Sequence, residues 1–152
     1  MVLTDVLAML SGLFNRKDNG ENTITSVESM TLILRGMCGG TVYTFDHKSD
    51  YTKLCRYYEK YSNGENILEL DESTACDIET MIRLMNKCNI LGWNGFHGAH
   101  PKNVLDGIMF RFEAKVNNGV TVFADGSENF PKGYREFVRA LDNMLTNEKT
   151  ES

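Results

Sequence analysis

The stretch "IMFRFEAKV-NNG-VTVFA", residues 108–124, constrains the fold of this chain more than any other. Ile108, Phe110, Phe112, Ala114 and Val116 alternate strictly with Met109, Arg111, Glu113 and Lys115. A period of two marks a half-buried strand, because successive side chains point to opposite sides. The same demand sets the register of the hairpin. With Asn118-Gly119 alone as the turn, Val116 would face Thr121 and apolar would meet polar. With Asn117, Asn118 and Gly119 all in the loop, Val116 faces Val120, Ala114 faces Val122 and Phe112 faces Ala124. A slip of one residue inverts every side chain, so the three-residue loop is expected, with Gly119 left-handed at a bulge.

More strands precede this hairpin. "ITSVESMTLILR" (24–35) sets Met30, Leu32 and Leu34 on one face, with Val27, Thr31 and Ile33 near the other, and Gly36, Gly39 and Gly40 end it. "TVYTFD" (41–46) and "TKLCRYYEKY" (52–61) are rich in aromatic and β-branched residues. Ser62-Asn63-Gly64 then turns the chain into "NILEL" (66–70). A helix is expected in "STACDIETMIRLMNKCNI", where Ile78, Met81, Ile82, Met85 and Cys88 form one stripe. Thr74 with Asp77 resembles a capping box, Asp71 and Glu72 favour the N-terminal end, and Asn89 closes the other. A last helix is expected over 131–146, with Pro131 in its first turn and a stripe of Tyr134, Phe137, Val138, Leu141, Met144 and Leu145. The tail, 147–152, is expected to fray. The order of elements predicts an α+β fold: an antiparallel meander of about five or six strands with helices packed on one face, in one domain over 24–146.

A short amphipathic helix is expected ahead of that domain. In residues 1–14, Leu3, Val6, Leu7, Leu10, Leu13 and Phe14 make an i, i+3, i+4 stripe. Residues 15–23 form a polar linker containing Asn19-Gly20. A helix this short is marginal alone in water, so its stripe has to be buried somewhere. The linker spans about 30 Å when extended. Two destinations stay open: another molecule, whether a partner or a second copy, and the open face of its own sheet. Leu3, Leu7, Leu10 and Phe14 are therefore candidate binding residues.

Bulk properties narrow the function classes. A chain of 152 residues with 41% hydrophobic and 24% charged residues suits one ordinary globular domain. The four cysteines (38, 55, 76 and 88) show no CxxC and no close pair, and no basic n-region opens the chain. They are expected as reduced thiols of a cytoplasmic protein. No apolar run approaches the roughly 18 residues of a membrane span. A net charge of −5 argues against nucleic-acid binding through a broad basic surface. Tyr43, Tyr51, Tyr57, Tyr58 and Tyr61 with Lys53, Arg56 and Lys60 could form an aromatic, basic face for single-stranded bases. Asp46, Asp50 and Glu59 weaken that reading.

Candidate chemistry concentrates in "LGWNGFHGAHPKNVLDG", residues 91–107, which holds the only tryptophan. His97-x-x-His100 and Asp106 carry metal-ligating atoms, but a fourth ligand is missing and HExxH is absent. Exposed histidines are the simpler reading, and no metal or other cofactor is expected. Asp106-Gly107 and Asp125-Gly126 bracket the hairpin, so Asp106, Asp125 and Glu128 could gather near the histidines as acid and base. Ordinary turn chemistry explains the same Asp-Gly pairs. No GxSxG or cysteine-nucleophile signature is present, and "GMCGG" lacks the lysine of a phosphate loop.

Trp93, Gly95, Phe96, Leu105, Asp106, Gly107, Gly126, Asn129, Phe130, Pro131 and Tyr134 form a W-x-GF … LDG … hairpin … G-x-x-N-F-P pattern. The pattern resembles a group of small proteins of Gram-positive gut bacteria and their mobile elements that carry no assigned activity. The resemblance implies a fold type, with Trp93 and Phe96 plugging the loop into the core, and implies no catalytic residue. Asp125 stands where the pattern has Ser, and Gly133 where it has Asn. The expected function is a small cytoplasmic protein-binding module, its partner another protein or a second copy. A narrower version is an inhibitor of a host or defence protein encoded by a mobile element. The binding candidates are Leu3, Leu7, Leu10, Phe14, Trp93, Phe96, His97, His100 and Asp106. The alternative, an enzyme, is a metal-assisted hydrolase using the Asp106/His97/His100 end of the hairpin.

Overall fold

A computed structural model describes residues 23–37, 39–47 and 51–151, with side chains through Thr146. The expected N-terminal helix and its linker up to residue 22 lie outside the described residues. The elements are β1 (Val27–Gly36), β2 (Gly39–His47), β3 (Thr52–Ser62), β4 (Glu65–Ala75), α1 (Ile78–Lys87), a 3-10 turn (Ile90–Trp93), β5 (His97–Gly98), β6 (Met109–Val116), β7 (Val120–Ser127) and α2 (Tyr134–Glu151). They form an α+β fold with one mixed sheet in the order β4-β3-β2-β1-β6-β7-β5. Neighbours are antiparallel except β5, which runs parallel to β7. The meander β1–β4 walks to one edge. The chain then returns through α1 to the other side of β1, where β6 pairs with it.

Both helices cover one face of the sheet. Met81 and Met85 of α1 and Phe137, Leu141 and Leu145 of α2 meet Met30, Leu32, Phe45, Leu54, Phe112 and Val122 in a single buried cluster. The segment before β1 is fastened to α1, since Ile24 N donates to Asn86 Oδ1 at 2.8 Å and Asn86 Nδ2 donates to Ile24 O at 3.0 Å.

The β6–β7 register is the one its alternation demands: Val116 faces Val120, Ala114 faces Val122 and Phe112 faces Ala124. The loop is more left-handed than expected. Asn117 and Asn118 take φ of 51° and 56°, and Gly119 takes 125°. Asparagine tolerates this region better than other side chains. Asn117 is also tied to the segment before β1, with Thr25 N donating to its Oδ1 at 2.7 Å and its Nδ2 donating to Thr23 O at 3.1 Å.

Several expectations are corrected. Val27 is buried with Met30 on the helix side, because the register shifts between Val27 and Ser29 and moves Val27 to the other face. β4 runs on to Ala75, so Thr74 is a buried strand residue and no capping box forms there. Asp77 caps α1 instead, accepting from Glu79 N at 3.2 Å. Pro131 lies in a turn ahead of α2, which begins at Tyr134 rather than at 131. The sheet has seven strands where five or six are expected, and two residues of the 91–107 loop supply one of them, β5.

Candidate functional site

The 91–107 loop is held by its aromatic residues. Trp93 is fully buried, edge-on to Phe112 and Phe137 with ring centroids 5.0 and 5.7 Å away. Its Nε1 donates to Lys132 O at 3.0 Å. Phe96 is half-buried and packs on the core beside Phe110. Trp93 thus belongs to the core and offers no surface to a partner. A Cβ on Gly98 would stand 2.3 Å from Asn129 O, so only glycine lets β5 approach the chain that follows β7.

That anchoring sets His97 and His100 against the end of β7 on the face without helices. Asp125 and Ser127 are two residues apart on β7 and share this face. His97 Nδ1 is 2.6 Å from Asp125 Oδ1, and His100 Nδ1 is 2.7 Å from Ser127 Oγ. His100 Nε2 lies 2.5 Å from the carbonyl oxygen of Val104. A carbonyl only accepts, so Nε2 carries the proton. In the neutral imidazole this tautomer leaves the lone pair of Nδ1 facing Ser127, whose hydroxyl is then the donor.

These groups line a cavity of about 400 Å³. Ile33 and Met109 give it apolar walls, and Arg35 and Arg111 bring positive charge. Arg35 is held by Glu59 at 3.0 Å, a hydrogen bond that raises its pKa further. Arg111 stands over the Phe123 ring, 5.3 Å from its centroid. Asp106 is exposed and does not line the cavity. Glu128 also turns elsewhere, accepting from Ile108 N at 2.7 Å. Among the described residues, no three His, Cys, Asp or Glu side chains gather to hold a metal ion. Leu3, Leu7, Leu10 and Phe14 lie outside the described residues. Ser127 and Arg111 belong to the site although no motif marks them. The signal for Arg111 was its outward place in the alternation, and for Ser127 its spacing from Asp125.

The aromatic, basic face expected around β3 does not assemble. Tyr43 pairs across strands with Arg56 on the helix side, whereas Tyr57 pairs with Val42 on the other side. Tyr43 is buried, and Arg56 is bound by Asp71 and Asp142.

A second surface lies at the opposite edge of the sheet. The distal half of the β3–β4 hairpin projects past the helices, and residues 60–70 are all exposed. Tyr61 is 75% exposed, and Ile67, Leu68 and Leu70 are 46%, 54% and 53% exposed. Ile67 and Leu68 are consecutive, so apolar side chains stand on both faces. Among the described residues β4 is also the edge strand, its outer side paired with no other strand. A groove of about 880 Å³ runs between this hairpin and the β1–β2 turn at Gly36 and Met37. Among the described residues, no helix is long and apolar enough to cross a membrane. Comparison with protein-family models, curated proteins and solved structures gave no match for this chain.

Proposed function

We propose that this chain is a protein-binding module that takes an extended segment of another protein along β4. The observation that carries this reading is the exposed apolar edge of residues 65–70. Soluble proteins normally blunt such an edge with charge, a bulge or a cover, because it templates strand pairing. Here the register shift between Arg56 and Tyr57 protects only the inner half, where Asp71 is bound by Arg56. The outer half keeps Ile67, Leu68 and Leu70 exposed, with Ile67 and Leu68 lining the groove. Added strands draw affinity from backbone hydrogen bonds and specificity from alternate side chains.

Charge favours a different protein over a second copy. Antiparallel self-pairing centred on Ile67 would set Glu65 opposite Glu69, and centred on Leu68 would set Glu65 opposite Asp71. Like charges directly opposite destabilise a pair. A segment alternating basic and apolar residues complements the strand. A mobile-element inhibitor acting on a host or defence protein is one form of such a module, and the identity of the partner decides it.

The test is a pull-down from the native host with mass spectrometry, followed by calorimetric titration of the purified partner. Leu68→Lys and Leu70→Lys should abolish binding while leaving the melting temperature unchanged. A partner that binds both variants as tightly as the wild type would overturn the reading. Concentration-dependent dimerisation through the same residues, measured by analytical ultracentrifugation, would replace it with self-association.

A further inference from the structure

We infer that Ser127 is a nucleophile activated by His100, and that the cavity beside it receives a small carboxylic ester. This does not rest on partner binding at β4, which lies at the other edge of the sheet. A hydroxyl is a poor nucleophile until a neighbouring base takes its proton, and the arrangement that does so has three parts: the hydroxyl, a base within hydrogen-bond reach, and a third group that orients the base. All three are present. Ser127 Oγ is 2.7 Å from His100 Nδ1, and His100 is oriented through Nε2 by the Val104 carbonyl. The carbonyl fixes the tautomer, so the basic nitrogen is the one that faces the hydroxyl. Anchoring the loop to β7 is already accomplished by the β5 pairing, the His97–Asp125 contact and Trp93, and it requires no particular tautomer of His100.

The cavity supplies the remaining needs of acyl transfer. Ile33 and Met109 offer apolar contact to an acyl chain. Arg111 lines the same space and carries the positive charge that a developing oxyanion requires. In the first step Ser127 Oγ bonds to the ester carbonyl carbon and its proton passes to His100 Nδ1. The carbon–alkoxide bond then breaks, and the leaving alcohol takes that proton. In the second step water adds to the acyl-serine with His100 as base, releasing the carboxylic acid and restoring the hydroxyl. Atoms and electrons balance with water as the only co-reactant.

A fluorophosphonate probe tests the inference directly, because the serine oxygen displaces fluoride from phosphorus and the proton goes to the base. The full-length protein should take one adduct, mapped by peptide mass spectrometry to Ser127. Labelling should be about 100-fold faster in the folded protein than in urea, the lower range of what a positioned base contributes. Ser127→Ala should remove the adduct, and His100→Gln should slow it by a similar factor with Trp93 fluorescence unchanged. The folded protein should also hydrolyse p-nitrophenyl butyrate in a Ser127-dependent manner. Absence of the adduct, an adduct at another residue, or equal rates in folded and unfolded protein would each overturn the proposal. So would undiminished labelling of folded His100→Gln. The folded-against-unfolded comparison decides even where a variant does not fold.

Discussion

Tyr43 and Arg56 donate to the same oxygen: Asp142 Oδ1 accepts from Tyr43 Oη at 2.8 Å and from Arg56 Nη1 at 2.7 Å. Arg56 Nε also donates to Asp71 Oδ2 at 2.8 Å, so one guanidinium ties β3 to both α2 and β4. Burial works against the charge on Arg56, but the two carboxylates outweigh it and raise its pKa. Burial, reinforced by Asp142, pushes the Tyr43 phenol up as well.

Removing the guanidinium should therefore cost more than removing the hydroxyl. Arg56→Met is expected to lower stability by about 1.5–3 kcal/mol, the range for hydrogen bonds to charged groups, and Tyr43→Phe by about 1 kcal/mol. Urea denaturation measures both. A loss at Arg56 below about 0.5 kcal/mol would mean that solvent, rather than these partners, satisfies the network.

The two faces of β6 predict opposite sensitivities. Phe112 is fully buried between Trp93 and Phe137, and Phe112→Ala should cost about 3–5 kcal/mol. Arg111 is exposed, and Arg111→Ala should stay within about 0.5 kcal/mol. Equal small effects would refute the inward assignment of Phe112.

Trp93 should report the integrity of the loop anchor. Its emission is expected to be blue-shifted and nearly insensitive to iodide, because its ring is enclosed and its Nε1 is bound to Lys132 O. Trp93→Ala should destabilise by about 3–5 kcal/mol. Ready quenching by iodide would place the loop away from the core.

Alkaline pH should weaken the fold. Burial, helped by the Asp77 charge, pushes the Cys76 thiol from 9.0 to about 11. Burial and the Glu136 charge, opposed by Lys87, push Cys88 to about 11 as well. The folded state holds these protons after the unfolded chain begins to release them. Stability from this source is therefore complete below pH 9.0 and is lost as pH rises to about 11. Tyr43 and Tyr134, both raised from 10.0 chiefly by burial, steepen the loss at its upper end. Unfolding free energies measured from pH 8 to 11 should fall, and Cys76→Ala should flatten part of the slope. A flat profile in the wild type would contradict the burial of both thiols.

Local periodicity accounts for what could be read without a structure. The alternation from Met109 to Val116 sets the faces of β6, and the clash of Val116 with Thr121 in the rival turn selects the hairpin register. The stripe Tyr134, Phe137, Leu141 and Leu145 marks the buried side of α2 in the same way. These are relations between residues a few positions apart, where backbone geometry alone dictates which side chains share a face.

Tertiary pairing decided the rest. A register shift invisible in the sequence moved Val27 to the helix side. Pairing with β3 drew Asp71 and Thr74 into β4 and away from the start of α1. The tyrosines of β2 and β3 divided between two faces because each answers to a different cross-strand neighbour. His97 and His100 met Asp125 and Ser127 only because a two-residue strand lies parallel to β7, 28 and 27 positions further along the chain. No local spacing encodes such a meeting. It follows from Trp93 entering the core and from two glycines, Gly98 and Gly126, packing where a Cβ would strike Asn129 O at 2.3 Å.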